Sequence, residues 1–270
     1  MQVSNPLESF YEHWQSDRTD LIEYDNGCAT RKVDTILRNV PGIRALNLRS
    51  AVDFGCGRGQ ALRHFSDQLK LERAHGFDFS AAAVEYAAQK FGSSDVQYHR
   101  LTSLDIDASI EAMKRTIGGR VDCVLLLDLL EHVADCKYLV SRLSELTTHF
   151  IIKLPVEANL LENYLLRNKV YPSTKQYNGH LREFNANTVF YFVRELGLTP
   201  LAEGLYLYVA ADTPPQPRAA SPWQWLKRAA INTLRNTLAV ILHKKLFMTL
   251  CGQGGYYCIA TFDKSNVLNP

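Results

Sequence analysis

The chain has 270 residues, 46% of them hydrophobic and 21% charged, with a formal net charge of +2. That is globular composition, with ample apolar mass for one large core. So small a net charge argues against nucleic acid as the main partner, and none is expected.

Met1 to Pro6 holds neither a basic stretch nor an apolar run, so no secretory leader is expected. From Ser4 to about Val40 the chain reads as helical and partly exposed, an N-terminal cap over residues 1–45 that Pro41-Gly42 closes with a turn. Ala51 to Phe54 is a short strand running straight into glycines. Gln60 to Leu71 is a helix with Ala61, Leu62, Phe65 and Leu69 on one face. Ala74 to Asp78 is a second strand ending in an acid, and Ser80 can cap the helix Ala81 to Phe91. Val96 to Leu101 is a third strand. Ile110 to Ile117 is a helix ended by Gly118-Gly119.

Val121 to Leu127 reads as a strand buried on both faces, followed by a helix from about Lys137 to Leu146. Phe150 to Leu154 is a fifth strand, stopped by Pro155. The segment 156–185 is too long for a plain connection, which predicts a lid or binding loop. Asn187 to Leu196 is a helix and Leu205 to Ala211 a strand. Pro214, Pro215 and Pro217 form a linker, Trp223 to Leu246 an amphipathic helix, and Tyr256 to Phe262 the last strand. Strands alternating with helices predict an α/β fold, one doubly wound domain over 1–270 with a mostly parallel sheet.

The six cysteines show no C-x-x-C pair, so neither a metal site nor a redox motif is expected, and reduced thiols in a cytoplasmic protein are. No apolar stretch approaches the roughly 20 residues of a membrane span. The best candidate, Leu238 to Leu250, is interrupted by His243, Lys244 and Lys245.

The most informative stretch is Asp53-Phe54-Gly55-Cys56-Gly57-Arg58-Gly59, between a strand and a helix. Glycine there permits a tight turn and close approach of backbone to a ligand. Asp78 ends the next strand, where an acid can bond the ribose hydroxyls of a nucleoside cofactor. The dinucleotide fingerprint needs glycine or alanine at the sixth position, but Gln60 and Leu62 stand there, which argues against an NAD-dependent reductase. A phosphate-binding G-K-[ST] is absent.

At these residues the chain resembles the class I S-adenosylmethionine-dependent methyltransferases. Gly76-Phe77-Asp78-Phe79-Ser80 looks like the end of their second strand, and Leu127-Asp128-Leu129-Leu130-Glu131-His132-Val133 like the segment after their fourth. The chain is particularly similar to the subgroup with ubiquinone-pathway, natural-product and sugar methyltransferases. His180-Leu181-Arg182-Glu183-Phe184 is similar to a segment that these enzymes place before the last crossover helix. The resemblance covers roughly Tyr11 to Ala211 and the final strand. It implies a seven-stranded Rossmann-like sheet whose last strand is antiparallel, with S-adenosylmethionine as cofactor and S-adenosylhomocysteine as product.

The resemblance also implies site residues. Gly55 and Gly57 would let the backbone approach the methionine part. Asp53 would orient the loop or meet the ammonium, Asp78 with Phe79 beside it would hold the ribose, and Leu127 and Asp128 would line the site. Arg31, or its neighbour Lys32, would meet the methionine carboxylate. Family members often carry an acid after the third strand, facing adenine. Here Thr102 or Ser103 stands in that place, so the contact falls to backbone near Ser103 and Leu104, or to Asp105.

His132 and His180 are the candidate bases, and Tyr11, Tyr177 and Arg182 the candidate acceptor contacts. The tyrosine- and asparagine-rich segment suits a small polar acceptor, a sugar or a secondary-metabolite precursor methylated on O or N. A rival reading is a cofactor-binding protein without catalysis that acts as an interaction module. Similar enzymes join the last two strands by a short hairpin, whereas here 212–255 is inserted. Its basic amphipathic helix, near 223–246, suits packing on the core or on a second subunit of a homodimer. The second reading is the surface of an anionic membrane, where a lipid-linked saccharide would be the acceptor.

Overall fold

The computed structural model describes residues 22–160, 180–208, 222–251 and 254–263. Tyr11, Tyr177, most of the 156–185 segment and the proline linker lie outside the described residues. The elements in chain order are α1 (Ile22–Asn39), a 3-10 turn (Pro41–Leu46), β1 (Ser50–Phe54), α2 (Gln60–Leu69), β2 (Arg73–Asp78), α3 (Ala81–Phe91), β3 (Val96–Arg100) and α4 (Ile106–Ile117). Then come β4 (Cys123–Leu127), α5 (Cys136–Leu143), β5 (His149–Val156), α6 (Thr188–Glu195), β6 (Leu198–Leu207), α7 (Pro222–Ile241), α8 (Lys244–Leu250) and β7 (Gly254–Phe262).

The seven strands form one sheet in the order β3-β2-β1-β4-β5-β7-β6. The first five run parallel, and β7 lies antiparallel between β5 and β6. Each face buries its own apolar cluster. On one, Val33 and Ile36 of α1 join Leu62 and Phe65 of α2 and Val84 of α3 against Ala51, Leu125 and Ile151. On the other, Ile110 and Met113 of α4, Leu139 and Leu143 of α5 and Val193 of α6 cover Val124, Leu126 and Ile152. Central strands covered on both sides must be apolar throughout, so a charged residue within one stands out. Asp53 and Lys153 are both such residues, and each is 2% exposed.

At four of the boundaries that differ from the sequence reading the physical reason is plain. Helix α4 begins a turn early because the Asp105 carboxylate accepts a hydrogen bond from Ala108 N at 2.8 Å and caps it. Strand β5 continues through Pro155. Its last pairing with β4 is Leu127–Lys153, so the edge that Pro155 turns toward β4 needs no donor. Strand β6 begins at Leu198, because it is an edge strand that tolerates Pro200 at a bulge. The amphipathic helix is two helices, broken where His243 caps α8 and accepts from Lys245 N at 3.4 Å.

No helix among the described residues is long and apolar enough to cross a membrane.

Candidate active site

A cavity of about 870 Å³ opens at the carboxyl edge of the sheet, roofed by α1. Open α/β sheets bind ligands at that edge, where neighbouring crossovers diverge. Here β1 sits between β2 and β4, and the glycine turn after it forms one end of the cavity.

That end is built from backbone. Gly55 has φ +81°, and a Cβ on it would lie 2.8 Å from Leu129 Cδ1. Gly59 has φ +83°, and a Cβ there would lie 2.6 Å from Tyr98 Cε1. Both positions therefore require glycine on conformation and on space. Gly55 N and Cys56 N donate to Phe77 O at 2.8 and 3.1 Å, tying the turn to β2. Gly57 N donates to Asp78 Oδ2 at 2.8 Å, and Ser80 N to Asp78 Oδ1 at 2.9 Å. Asp78 is thus held by two amides while facing the cavity, with Phe79 beside it stacked edge-on against Phe54.

Asp53 sits at the floor. Burial first, then the neighbouring Asp78 charge, push its carboxyl up to about 7, against an opposing pull from Lys32. Its Oδ1 is buried and has no hydrogen-bond partner among the described residues. Such an oxygen costs stability unless a donor arrives, and a ligand's cationic group would satisfy it.

Helix α1 closes the cavity from above through polar clips. Arg58 Nη1 reaches Asp25 at 3.0 Å, Gln60 Nε2 donates to Thr30 Oγ1 at 3.1 Å, and Asn26 Nδ2 to Tyr86 OH at 3.2 Å. Arg31 lines the cavity beside Cys28, its Nη2 lying 3.2 Å from that sulfur. Lys32 also lines it and reaches Asp128 Oδ2 at 2.5 Å.

The other end is built from side chains. Asp128, at φ +56° just after β4, is paired with Lys153 of β5 as well as with Lys32. Burial would raise the Asp128 carboxyl, but the two ammonium groups hold it below the ordinary carboxylate range. Burial would lower Lys153, but Asp128, Tyr206 and Tyr208 hold it well above the ordinary lysine value. Lys153 Nζ also donates to Tyr208 OH at 3.1 Å.

Glu131 is 1% exposed, and its Oε2 has no hydrogen-bond partner among the described residues. Burial and the Asp128 charge push its carboxyl up to about 8. The His132 and His180 rings meet edge-on with centroids 4.8 Å apart, and His180 Nδ1 lies 3.7 Å from Glu157 Oε2. Burial and His132 pull His180 down to about 4, so it is neutral at physiological pH. Glu131, His132 and His180 each offer one ligand atom within 4.8 Å of the others, a spacing that would admit a divalent cation.

Arg31, Asp53, Gly55, Gly57, Asp78, Phe79, Leu104, Leu127, Asp128, His132 and His180 all line this one cavity. Two expected residues do not. Ser103 is turned into the start of α4, where its Oγ accepts from Asp105 N at 3.1 Å and its carbonyl from Ser109 Oγ at 2.7 Å. Asp105 is spent on its cap, so the cavity beside α4 is lined by Leu104, Ile106 and Ser109.

Arg182 is the second. Its guanidinium donates to Leu130 O, Val133 O and Ala134 O at 2.6, 2.5 and 2.9 Å, and it stacks on Phe192. It holds the loop after β4 in shape instead of facing the acceptor. Five charged donors match a cluster of loop carbonyls, which sequence spacing does not reveal.

The sequence reading passed over Lys153, Glu131, Tyr206, Tyr208 and Glu157, all in the wall. For Lys153 a signal existed, a lone lysine in the apolar run Phe150 to Leu154.

Residues 52–149 match a family model described as a methyltransferase domain. Among curated proteins none matches the sequence. Among solved structures, the chain is similar to an S-adenosylmethionine-dependent methyltransferase of Anabaena variabilis, at TM-score 0.55 and 15% identity over 96% of each chain. It is similar to the magnesium protoporphyrin IX methyltransferase of Synechocystis at TM-score 0.52 and 14% identity, over 87% of this chain and 84% of that one. Coclaurine N-methyltransferase matches at TM-score 0.51 and 14% identity, over 86% and 72%. At such identities the structures establish the fold. The family match falls on the segment that carries the glycine turn and Asp78.

Proposed function

We propose that this enzyme methylates an O or N atom of a small, polar acceptor, a sugar or a secondary-metabolite precursor. The observation that carries the reading is the asymmetry of the cavity. One end is a backbone cradle. The other is lined by Glu131, His132, Lys153, Glu157, His180 and Tyr208.

S-adenosylmethionine, when bound, supplies an electrophilic methyl group on a sulfonium. The residues present suit it. Asp78 takes the ribose hydroxyls, with Phe79 against the nucleoside and Leu104 near the base. Asp53, with its orphaned oxygen, takes the ammonium. Arg31 or Lys32 takes the carboxylate, while Gly55 and Gly57 leave room for the methionine chain. Leu127 and Asp128 close the wall toward the acceptor.

Methyl transfer needs mainly a held, in-line geometry. The acceptor's O–H or N–H proton then passes to a ring nitrogen of His132 or His180. Burial keeps the His180 ring neutral before the reaction, at the cost of some of its basicity. The six free cysteines support a reducing, cytoplasmic setting for this chemistry.

Release of S-adenosylhomocysteine over a panel of sugars, amino sugars and phenols tests the reading. Turnover confined to the polar members is expected, with loss of at least about tenfold in kcat for His132→Asn or His180→Asn, whichever is the base. Turnover of apolar acceptors alone would refute it. Cofactor binding without turnover across the panel would favour the interaction module instead.

A further inference from the structure

Helices α7 and α8 carry a surface that methyl transfer does not use. Leu226, Leu234, Val240 and Ile241 are 53%, 57%, 87% and 70% exposed. Leu226, Leu234 and Ile241 recur at about two-turn intervals, so they form one line along α7. The helix meets the core near its end, through Leu238 and Ala239. Scattered exposed leucines need no explanation, but a line of them on one helix marks an interaction surface.

The charge of the segment names the partner. Between residues 213 and 262 there are six Lys or Arg and no Asp or Glu. With 24 basic and 28 acidic residues left, the rest of the chain carries a formal −4. Lys227, Arg228 and Arg235 bring positive charge to α7 itself. A second copy laid along the same line would bring together two segments of the same positive net charge, with no acid in either helix to offset it. An anionic lipid surface offers both an apolar layer and phosphates.

The placement is also specific. Leu207, the last residue of β6, pairs with Gly254, the first of β7, and Gly254 pairs with Val156, the last of β5. The insertion therefore springs from the carboxyl edge of the sheet, next to the cavity residues Tyr206 and Tyr208.

We infer that α7 docks on an anionic membrane surface, with Leu226, Leu234 and Ile241 entering the headgroup boundary and the positive net charge of the segment drawn to the lipid phosphates. This holds the acceptor edge of the sheet beside the bilayer. The helix lies on the surface and does not cross it.

The test is co-sedimentation of the full chain with phosphatidylcholine vesicles, with and without one third phosphatidylglycerol. Binding is expected on the anionic vesicles and at least about tenfold weaker on the neutral ones, with a blue shift of tryptophan emission and a fall with added salt. Leu226→Gln with Leu234→Gln should abolish it. Arg228→Glu with Arg235→Glu should weaken it by roughly fivefold or more per charge. Neither leucine lines the cavity, so circular dichroism and cofactor titration of the leucine variant should stay unchanged.

No binding to anionic vesicles overturns the inference. So does equal binding to neutral ones, or binding that survives the charge-reversed variant. A lipid-free dimer in equilibrium sedimentation that dissociates in the leucine variant, without vesicle binding, overturns it in favour of a second copy.

Discussion

The two ends of the cavity are built by different means. The end proposed for the cofactor is backbone. Its turn is shaped by Gly55, Gly57 and Gly59, and Asp78 is fixed by two amide donors. The end proposed for the acceptor is side chain, with Asp128 between Lys32 and Lys153, and Glu131 beside the paired rings of His132 and His180. A backbone cradle has few ways to vary without losing its ligand. A side-chain wall can be rewritten residue by residue. One end thus suits a cofactor common to many enzymes, and the other an acceptor particular to this one.

The largest effect that would break this contrast lies in the acceptor wall. Lys153→Met leaves the Asp128 carboxylate with Lys32 alone and should cost about 3 kcal/mol of stability, read as a lower urea midpoint. A loss near zero would mean that Lys32 suffices and that the wall is not held by its buried ion pair.

Asp78→Ala removes two charge-assisted hydrogen bonds from the cradle as well as the ribose contact. Affinity for S-adenosylmethionine by calorimetry should fall about 100-fold. An unchanged affinity would remove Asp78 from the cofactor site.

The smallest effect depends on pH. Burial and the Asp78 charge push the Asp53 carboxyl from its ordinary 3.8 up to about 7, so folding favours its protonated form. Its stabilising contribution is complete below about pH 4 and is lost as pH rises through about 7. Glu131, pushed up to about 8, acts in the same direction. Asp53→Asn should therefore stabilise the ligand-free protein by about 1–2 kcal/mol at pH 8 and by nearly nothing at pH 4. His180 titrates alike in both proteins and cancels from the comparison. The same variant should bind cofactor about tenfold more weakly, since a neutral amide meets the ammonium less well. If the wild type were the more stable at pH 8, a partner for the Asp53 carboxylate would have to exist.

The contrast between the ends also explains what could be read from the chain. The glycine turn was legible because three left-handed backbone positions within five residues leave only one residue type. Asp78 followed from strand length, and the alternation of strands and helices from hydrophobic period. Arg182 was misread because its partners are carbonyls about 50 residues earlier, and Asp105 stayed an open alternative because one carboxylate serves equally as cap or ligand contact. The start of β6 was hidden by Pro200, which an edge strand accepts and a central one would not.

By itself, then, the amino-acid sequence determined the α/β order, the glycine turn after the first strand and the resemblance to methyltransferases, because each rests on local backbone geometry or short spacing. Only the tertiary structure decided that Lys153 meets Asp128, that Glu131 is sealed beside His132 and His180, and that the apolar line of α7 stays exposed. Those facts depend on which strands become neighbours and which helix faces find a partner, and pairing across the chain leaves no periodic trace in it.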